Sequence, residues 1–143
     1  MVEIIKASAK NKNDVYALLC ELEGTTIDNN LFETMFLQNI ENKDIFYLLA
    51  IEDHIVLGFA SLHIQRLLHH VGNVGEIQEI IVEKKHQGQG IGATLYNKLK
   101  QIAIEKRCVL LEVCCNQRRI ESHEFYHKQG MKNTHYKFTI PLA

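Results

Sequence analysis

Three glycines alternate along residues 87–92, where the sequence reads Gln87-Gly88-Gln89-Gly90-Ile91-Gly92. The stretch follows an apolar run that ends at Val82 and precedes a segment with helical periodicity. A glycine-rich turn at a helix N-terminus leaves several backbone N–H groups unpaired and adds the positive end of the helix dipole. Such a turn can hold a phosphate group, because the missing side chains let the phosphate approach the backbone. A tight turn without a ligand is the alternative interpretation.

The spacing of these glycines does not match two common phosphate-binding motifs. A dinucleotide-binding turn reads G-x-G-x-x-G, which Gly88, Gly90 and Gly92 do not fit. A P-loop needs a Gly-Lys pair, which the sequence lacks. The glycine stretch also lies late in the chain, whereas a dinucleotide-binding unit usually begins with it. Another kind of phosphate-bearing ligand is therefore expected.

The composition favours one globular domain over residues 1–143, with 46% hydrophobic and 23% charged residues. Sixteen Lys and Arg balance seventeen Asp and Glu, so we expect no nucleic-acid binding and no membrane attraction. No apolar run approaches the ~20 residues of a membrane helix, and no signal peptide is visible, which favours a cytoplasmic location. The four cysteines form no CxxC pair, which favours reduced thiols over a disulfide or zinc site.

Hydrophobic periodicity predicts the element order β-α-α-β-β-β-α-β-α-β. The predicted elements are a strand at 2–5, helices over 15–22 and 32–40, strands at 45–51, 55–64 and 76–82, a helix from 91, a strand at 109–115, a helix over 121–129 and a last strand at 136–140. We therefore expect an α/β (α+β) fold with a mixed, mostly antiparallel twisted sheet and helices on both faces.

Two stretches of the chain match known motifs, the glycine stretch itself and residues 122–131. Gln87, Gly90 and Gly92 fit the acyl-CoA signature [RQ]-x-x-G-x-[GA]. Residues 122–131 are similar to A-x-x-F-Y-x-x-x-G-F, with Ser for Ala and Met for Phe at the two ends. On these residues the chain resembles the GNAT superfamily of N-acetyltransferases along almost its whole length. A closer resemblance, to the aminoalkylphosphonate N-acetyltransferases, rests on segments 15–22, 68–71, 75–79 and 123–126.

The resemblance implies transfer of an acetyl group from acetyl-CoA to the primary amine of a small molecule, with an aminoalkylphosphonate as the favoured acceptor. It implies that Tyr126 protonates the leaving CoA thiolate and that Glu76 takes the proton of the amine. Glu79 is the other candidate base. In a regular strand Glu76 and Gln78 share one face while Glu79 takes the other, but a β-bulge changes this. A core tyrosine and a solvated strand-edge carboxylate are the structural alternatives.

The resemblance also assigns the coenzyme site to the end of one strand, the glycine stretch and a following asparagine. The expected coenzyme-binding residues are Ile80, Ile81, Val82, Gln87, Gly88, Gln89, Gly90, Ile91, Gly92 and Asn116. The backbone groups at 80–82 would pair with the pantetheine arm like an added strand. An asparagine such as Asn116 is also typical of a turn.

Four points stay open at this level. The phosphonate relatives are associated with a divalent cation, so the resemblance permits a metal, although His69 and His70 would alternate faces on a strand. Arg66, His69, Arg118 and Arg119 are candidates for binding an anionic acceptor. A CoA-binding sensor or partner-binding domain without turnover is the alternative function. The resemblance also permits a homodimer.

Overall fold

A computed structural model describes all residues from Met1 to Ala143. It contains five strands and four α-helices, with single 3-10 turns at 9–11, 68–70 and 84–86. In chain order they are β1 Glu3–Lys6, α1 Lys12–Glu23, α2 Asn29–Ile40, β2 Ile45–Glu52, β3 Ile55–Leu67, β4 Gly72–Val82, α3 Ile91–Glu105, β5 Cys108–Val113 and α4 Ile120–Lys128. None of these helices has the length and apolar character needed to cross a bilayer.

The strands form one sheet in the order β1-β2-β3-β4-β5, and β1/β2, β2/β3 and β3/β4 are antiparallel pairs. The chain packs as two compact units, an N-terminal unit of Met1–Glu112 and a C-terminal unit of Val113–Ala143. The expectation of one domain over residues 1–143 stays a prediction.

Local signals in the sequence explain where the helices of the N-terminal unit begin and end. Gly24 ends α1 in the left-handed conformation, with φ of 71°, which glycine adopts without steric cost. Asp28 caps α2, because its carboxylate accepts a 2.9 Å hydrogen bond from the Leu31 N–H. Leu95 and Leu99 give α3 a fully buried apolar stripe, which fixes the helix against the sheet.

The sheet of the N-terminal unit is covered on both faces. Residues of β3 alternate, so that Gly58 faces Leu95 of α3 while Phe59 belongs to the cluster formed with α1 and α2. On the latter face a series of aromatic rings packs with centroid separations of 5.2–5.6 Å, formed by Tyr16, Phe32, Phe36, Tyr47 and Phe59. This series connects both helices to the middle of the sheet.

The predicted last strand at 136–140 is absent. No helix or strand follows Lys128, and the apolar side chains of this segment are almost fully exposed. A strand requires a neighbouring strand to pair with its N–H and C=O groups. The alternating sequence pattern at 136–140 is therefore not sufficient by itself to form a strand.

Candidate functional site

The glycine stretch joins β4 to α3, as the sequence predicted. Gly88 and Gly90 have φ of 80° and 84°, in the left-handed region where a side chain introduces strain. A Cβ at either position would meet no atom within 4 Å. These glycines are therefore needed for the backbone conformation, and the space beside them is open to a ligand.

Several contacts fix this turn and leave its outward N–H groups available. The Gly90 carbonyl accepts 3.0 Å bonds from both the N–H and the hydroxyl of Thr94. The Gln87 side chain donates a 3.0 Å bond back to the Val82 carbonyl, and the Lys84 N–H donates a 3.1 Å bond to the Glu21 carboxylate. The first amides of α3, from Ile91 onward, have no helical acceptor because they open the helix. With the helix dipole they form a site suited to an anion.

A β-bulge in β4 decides which way its two candidate carboxylates face. Ser61 of β3 lies opposite Glu79, whereas the next residue, Leu62, lies opposite Ile77, so Gln78 is the extra residue. His63 then lies opposite Glu76. Because Ser61 and His63 are two residues apart on one strand, Glu76 and Glu79 lie on the same face of the sheet. Of the two arrangements that the sequence left open, the structure therefore has the bulged one.

Glu79 is partly buried and has a specific partner. The fully buried Ser61 hydroxyl donates to the Glu79 carboxylate, and the Glu79 N–H donates a 3.1 Å bond to the Ser61 oxygen. Burial raises the pKa of Glu79, while the Ser61 hydrogen bond and then the nearby His63 oppose that rise and Glu23 adds to it. A carboxyl group with a raised pKa is suited to accept and return a proton near neutral pH.

The sheet face that carries Glu76 and Glu79, the carboxylate face, also carries Tyr47. Glu76 is partly exposed and accepts a 2.8 Å bond from the Gln78 side chain. Tyr47 lies opposite Ser61 on the other side of β3, and its hydroxyl accepts a 2.7 Å bond from Asn39. Burial raises the pKa of Tyr47, and Glu79 raises it further, against the hydrogen bond from Asn39. Sequence reasoning missed Ser61, His63 and Tyr47, whose only signal was their position on the predicted neighbouring strands.

Two predicted site residues lie in the C-terminal unit. Tyr126 belongs to α4, where its ring meets Phe125 edge-on at 5.1 Å between centroids. Asn116 forms a turn, because its side-chain oxygen accepts a 2.9 Å bond from the Arg118 N–H. Its carbonyl also bonds the His123 ring at 2.8 Å. Asn116 therefore forms the turn through its side-chain oxygen, and its side-chain amide nitrogen stays available for another contact.

Three further candidates lie at or just after the end of β3. His69 and His70 lie on the 3-10 turn after β3, with ring centroids 4.2 Å apart. Alternation along β3 puts Arg66 on the face opposite Ser61 and His63, where it lines a shallow groove of about 440 Å³ with Lys43 and other residues. No three His, Cys, Asp or Glu side chains converge as metal ligands. Arg66 therefore lies on the sheet face opposite Glu76 and Glu79, and its role toward an anionic acceptor stays a prediction.

Comparison with known sequences defines the family of the chain. The sequence profile of the Acetyltransferase (GNAT) family matches residues 13–131, so the chain belongs to the GNAT acetyltransferase family. The chain is 36% identical, over 140 residues, to the aminoalkylphosphonate N-acetyltransferase of Salmonella typhimurium, which covers 98% of this chain and 91% of that protein. It is also 32% identical over 88 residues to the glucosamine 6-phosphate N-acetyltransferase of Candida albicans, over 61% of this chain and 57% of that one.

Solved structures agree on the architecture. A transcriptional regulator from Bacillus halodurans superposes with a TM-score of 0.91 at 17% identity, over 99% of this chain and all of that one. The glucosamine-6-phosphate N-acetyltransferase from Arabidopsis thaliana gives a TM-score of 0.84 at 20% identity, over 100% and 99% of the two chains. The predicted fold class is thereby confirmed, and the family match confirms the predicted enzyme class.

The Ser61–Glu79 pair leads to a first testable expectation. Ser61→Ala removes a hydrogen bond that favours the charged carboxylate, so the pKa of Glu79 should rise further above its usual range. The measurement is the side-chain carboxyl ¹³C shift of Glu79 as a function of pH. Ser8→Ala, at an exposed serine, is the control and should leave that titration unchanged. An unaltered midpoint in Ser61→Ala would show that the hydroxyl does not stabilise the charged form.

Proposed function

We propose that this acetyltransferase transfers an acetyl group from acetyl-CoA to the primary amine of a small molecule bearing a phosphonate or phosphate group. The observation that carries the proposal is the geometry of β4, whose bulge turns Glu76 and Glu79 to one face of the strand that leads into the glycine turn. A proton acceptor on β4 and an anion-binding N-terminus of α3 thus lie on consecutive segments of the chain. This is the combination that acetyl transfer from a phosphate-bearing donor requires.

The donor half of the proposal rests on the turn. The outward N–H groups of residues 88–92 would hold the pyrophosphate of acetyl-CoA, with the positive helix end adding to the attraction. Ile80, Ile81 and Val82 pair with β3 through one side of β4. The backbone N–H and C=O groups of these residues that point away from β3 would bond the pantetheine arm. The amide nitrogen of Asn116 is a further candidate donor to that arm.

The acceptor half depends on removing a proton. An amine with a pKa of ~10.4 is neutral in only about one molecule in 2,500 at pH 7. We assign Glu79 as the group that takes this proton, directly or through water, because its burial gives it a raised pKa. The neutral amine nitrogen then attacks the acetyl carbonyl carbon and the carbon–sulfur bond breaks. Tyr126 would give a proton to the departing thiolate, and Glu76 would contact the acceptor from the same face as Glu79.

The choice of an anionic acceptor has support from relatives. The names of both curated relatives specify amines that carry a phosphorus-containing group, an aminoalkylphosphonate and glucosamine 6-phosphate. On the carboxylate face, His63 is a group that becomes cationic on protonation, and the turn after Asn116 carries Arg118 and Arg119. These side chains are the candidates for pairing with the phosphonate.

Donor binding is tested by thermal unfolding with CoA. At about 100 times its dissociation constant, a ligand stabilises the folded state by ~2.7 kcal/mol. At roughly 3 °C per kcal/mol for a chain of this length, Tm should rise by roughly 8 °C. Gly90→Glu should abolish this rise, because it puts a negative side chain where the phosphate would lie. Gly24→Glu, the same change at another left-handed glycine, is the matched control and should keep the rise. Absence of any rise for the unaltered chain would contradict the proposed donor.

Acceptor choice is tested by turnover of acetyl-CoA with aminoethylphosphonate and with ethanolamine, which has a primary amine on the same two-carbon chain but a hydroxyl in place of the phosphonate. Charge-assisted hydrogen bonds contribute about 1.5–3 kcal/mol, so kcat/KM should be at least roughly tenfold higher for the phosphonate. Release of CoA with each amine is the readout. Equal values for the two amines would reject the phosphonate preference, and CoA binding without turnover of any amine would favour a sensor instead.

The catalytic assignments are tested by three conservative substitutions. Glu79→Gln should lower kcat by ~10²–10⁴-fold, with the greatest loss at low pH, where the acceptor is mostly ammonium. Tyr126→Phe should lower kcat by a similar factor and keep the CoA-induced Tm rise. Glu76→Gln should mainly raise KM for the acceptor. Glu105→Gln, at an exposed position on α3, is the control. If Glu76→Gln lost kcat while Glu79→Gln kept a normal kcat, Glu76 would be the group that takes the proton and Glu79 the one that contacts the acceptor.

A further inference from the structure

Tyr47 lies on the carboxylate face, in one row with Ser61 and Glu79. Tyr47 of β2 is directly opposite Ser61 of β3, and Ser61 is directly opposite Glu79 of β4. Residues that are opposite each other in antiparallel strands point to the same face of the sheet. The Tyr47 ring packs between Phe36 and Phe59, with centroids 5.5 Å and 5.4 Å away, and this packing restricts the positions open to its hydroxyl.

The hydroxyl of Tyr47 has one hydrogen left to donate. Its oxygen accepts a 2.7 Å bond from the side-chain amide of Asn39 on α2, and a phenol group carries one O–H donor besides. None of the hydrogen bonds within the chain uses that hydrogen. Burial raises the pKa of Tyr47, and the Glu79 charge adds to this rise against the bond from Asn39, so the group keeps its hydrogen at neutral pH. A partly buried donor without an acceptor is costly, and a bound ligand can supply the acceptor.

The position and chemistry of this donor suit an anionic oxygen of a small molecule. Neighbouring strands are about 4.8 Å apart, so the backbones of Tyr47 and Glu79, two strands apart, are separated by roughly 10 Å. Side chains that reach toward each other across this distance leave room for a short molecule between them. A hydroxyl that can only donate favours an oxygen that carries no hydrogen, and its bond to a charged oxygen is stronger than one to a neutral oxygen. His63 on the same face adds a positive charge when it is protonated.

We propose that Tyr47 is a specificity-determining residue that donates a hydrogen bond to the phosphonate or phosphate group of the acceptor. Asn39 is the positioning residue that directs this hydrogen, because its N–H group occupies the hydroxyl oxygen and leaves Tyr47 only the role of donor. The inference rests on the proposed function, since it requires that Glu79 hold the amine end of the acceptor. It adds a neutral donor at the other end of the same molecule.

Tyr47→Phe tests the donor, because it removes the hydroxyl and keeps the ring. With saturating acetyl-CoA, KM for aminoethylphosphonate should rise about tenfold while kcat stays nearly unchanged. Competitive inhibition by ethylphosphonate, which has the anionic group but no amine, should weaken by the same factor. The kcat/KM for propylamine, which has no oxygen, should not change. Tyr136→Phe, the same substitution at an almost fully exposed tyrosine, is the matched control and should keep all of these constants.

Asn39→Asp tests the direction of the hydrogen bond. A carboxylate has no hydrogen to give, so it would accept from Tyr47 and use the hydrogen that the acceptor needs. KM for aminoethylphosphonate should therefore rise as it does in Tyr47→Phe. In the double variant the two effects should not multiply, because both substitutions remove the same bond to the acceptor. Repulsion by the new charge alone would make them multiply. Circular dichroism checks that each variant is folded.

Four outcomes would overturn the inference. Unchanged constants for both phosphonates in Tyr47→Phe would reject it while the proposed function stands. An equal fall of kcat for both amines, with an altered carboxyl ¹³C titration of Glu79, would show that Tyr47 acts on Glu79 and not on the acceptor. Multiplying effects in the double variant would remove the role of Asn39. Turnover of no amine by the unaltered chain would reject the proposed function itself and this assignment with it.

Discussion

The one extra residue in β4 is the constraint on which the carboxylate face depends. Without the bulge at Gln78, the side-chain alternation of the strand would send Glu76 and Glu79 to opposite faces. With it, both carboxylates lie beside Ser61, His63 and the aromatic series under α1 and α2. The register between β3 and β4 shifts by one residue at the bulge, and Ile77 on the other face still lies opposite the buried Leu62.

The bulge also places Glu79 where burial destabilises its charged form, and the fold offsets only part of this free-energy cost. An isolated buried carboxylate is strongly disfavoured, and hydrogen bonds to it offset some of that cost. Ser61 supplies this compensation from the neighbouring strand. Because the pKa of Glu79 is raised, the folded chain holds its proton more tightly than the unfolded chain does. The stability from this group is therefore full below the ordinary glutamate pKa and is lost as pH rises through the folded-state value.

Sequence reasoning correctly predicted features that depend on residues close together in the chain. It missed features that depend on which strands pair and in which register. The glycine turn at 87–92, the buried stripe of α3 and the hairpin of β2 and β3 follow from short-range spacing. The Ser61–Glu79 contact does not, because it depends on the register between two strands. The prediction of a strand at 136–140 failed for a related reason, since side-chain alternation is local whereas a strand also requires a paired neighbour. The bulge at Gln78 has no residue signature of its own.

The left-handed turn at Gly90 has a consequence for stereochemistry. Its φ of 84° is disfavoured for every L-residue but is the natural region of a D-residue, the mirror image. A chemically assembled chain with D-alanine there would meet the backbone requirement without strain. It would also have fewer unfolded conformations to lose, and the corresponding gain for L-alanine at compatible sites is about 0.4–1 kcal/mol. Handedness, rather than size, is thus what restricts this position in the backbone to glycine among the genetically encoded residues.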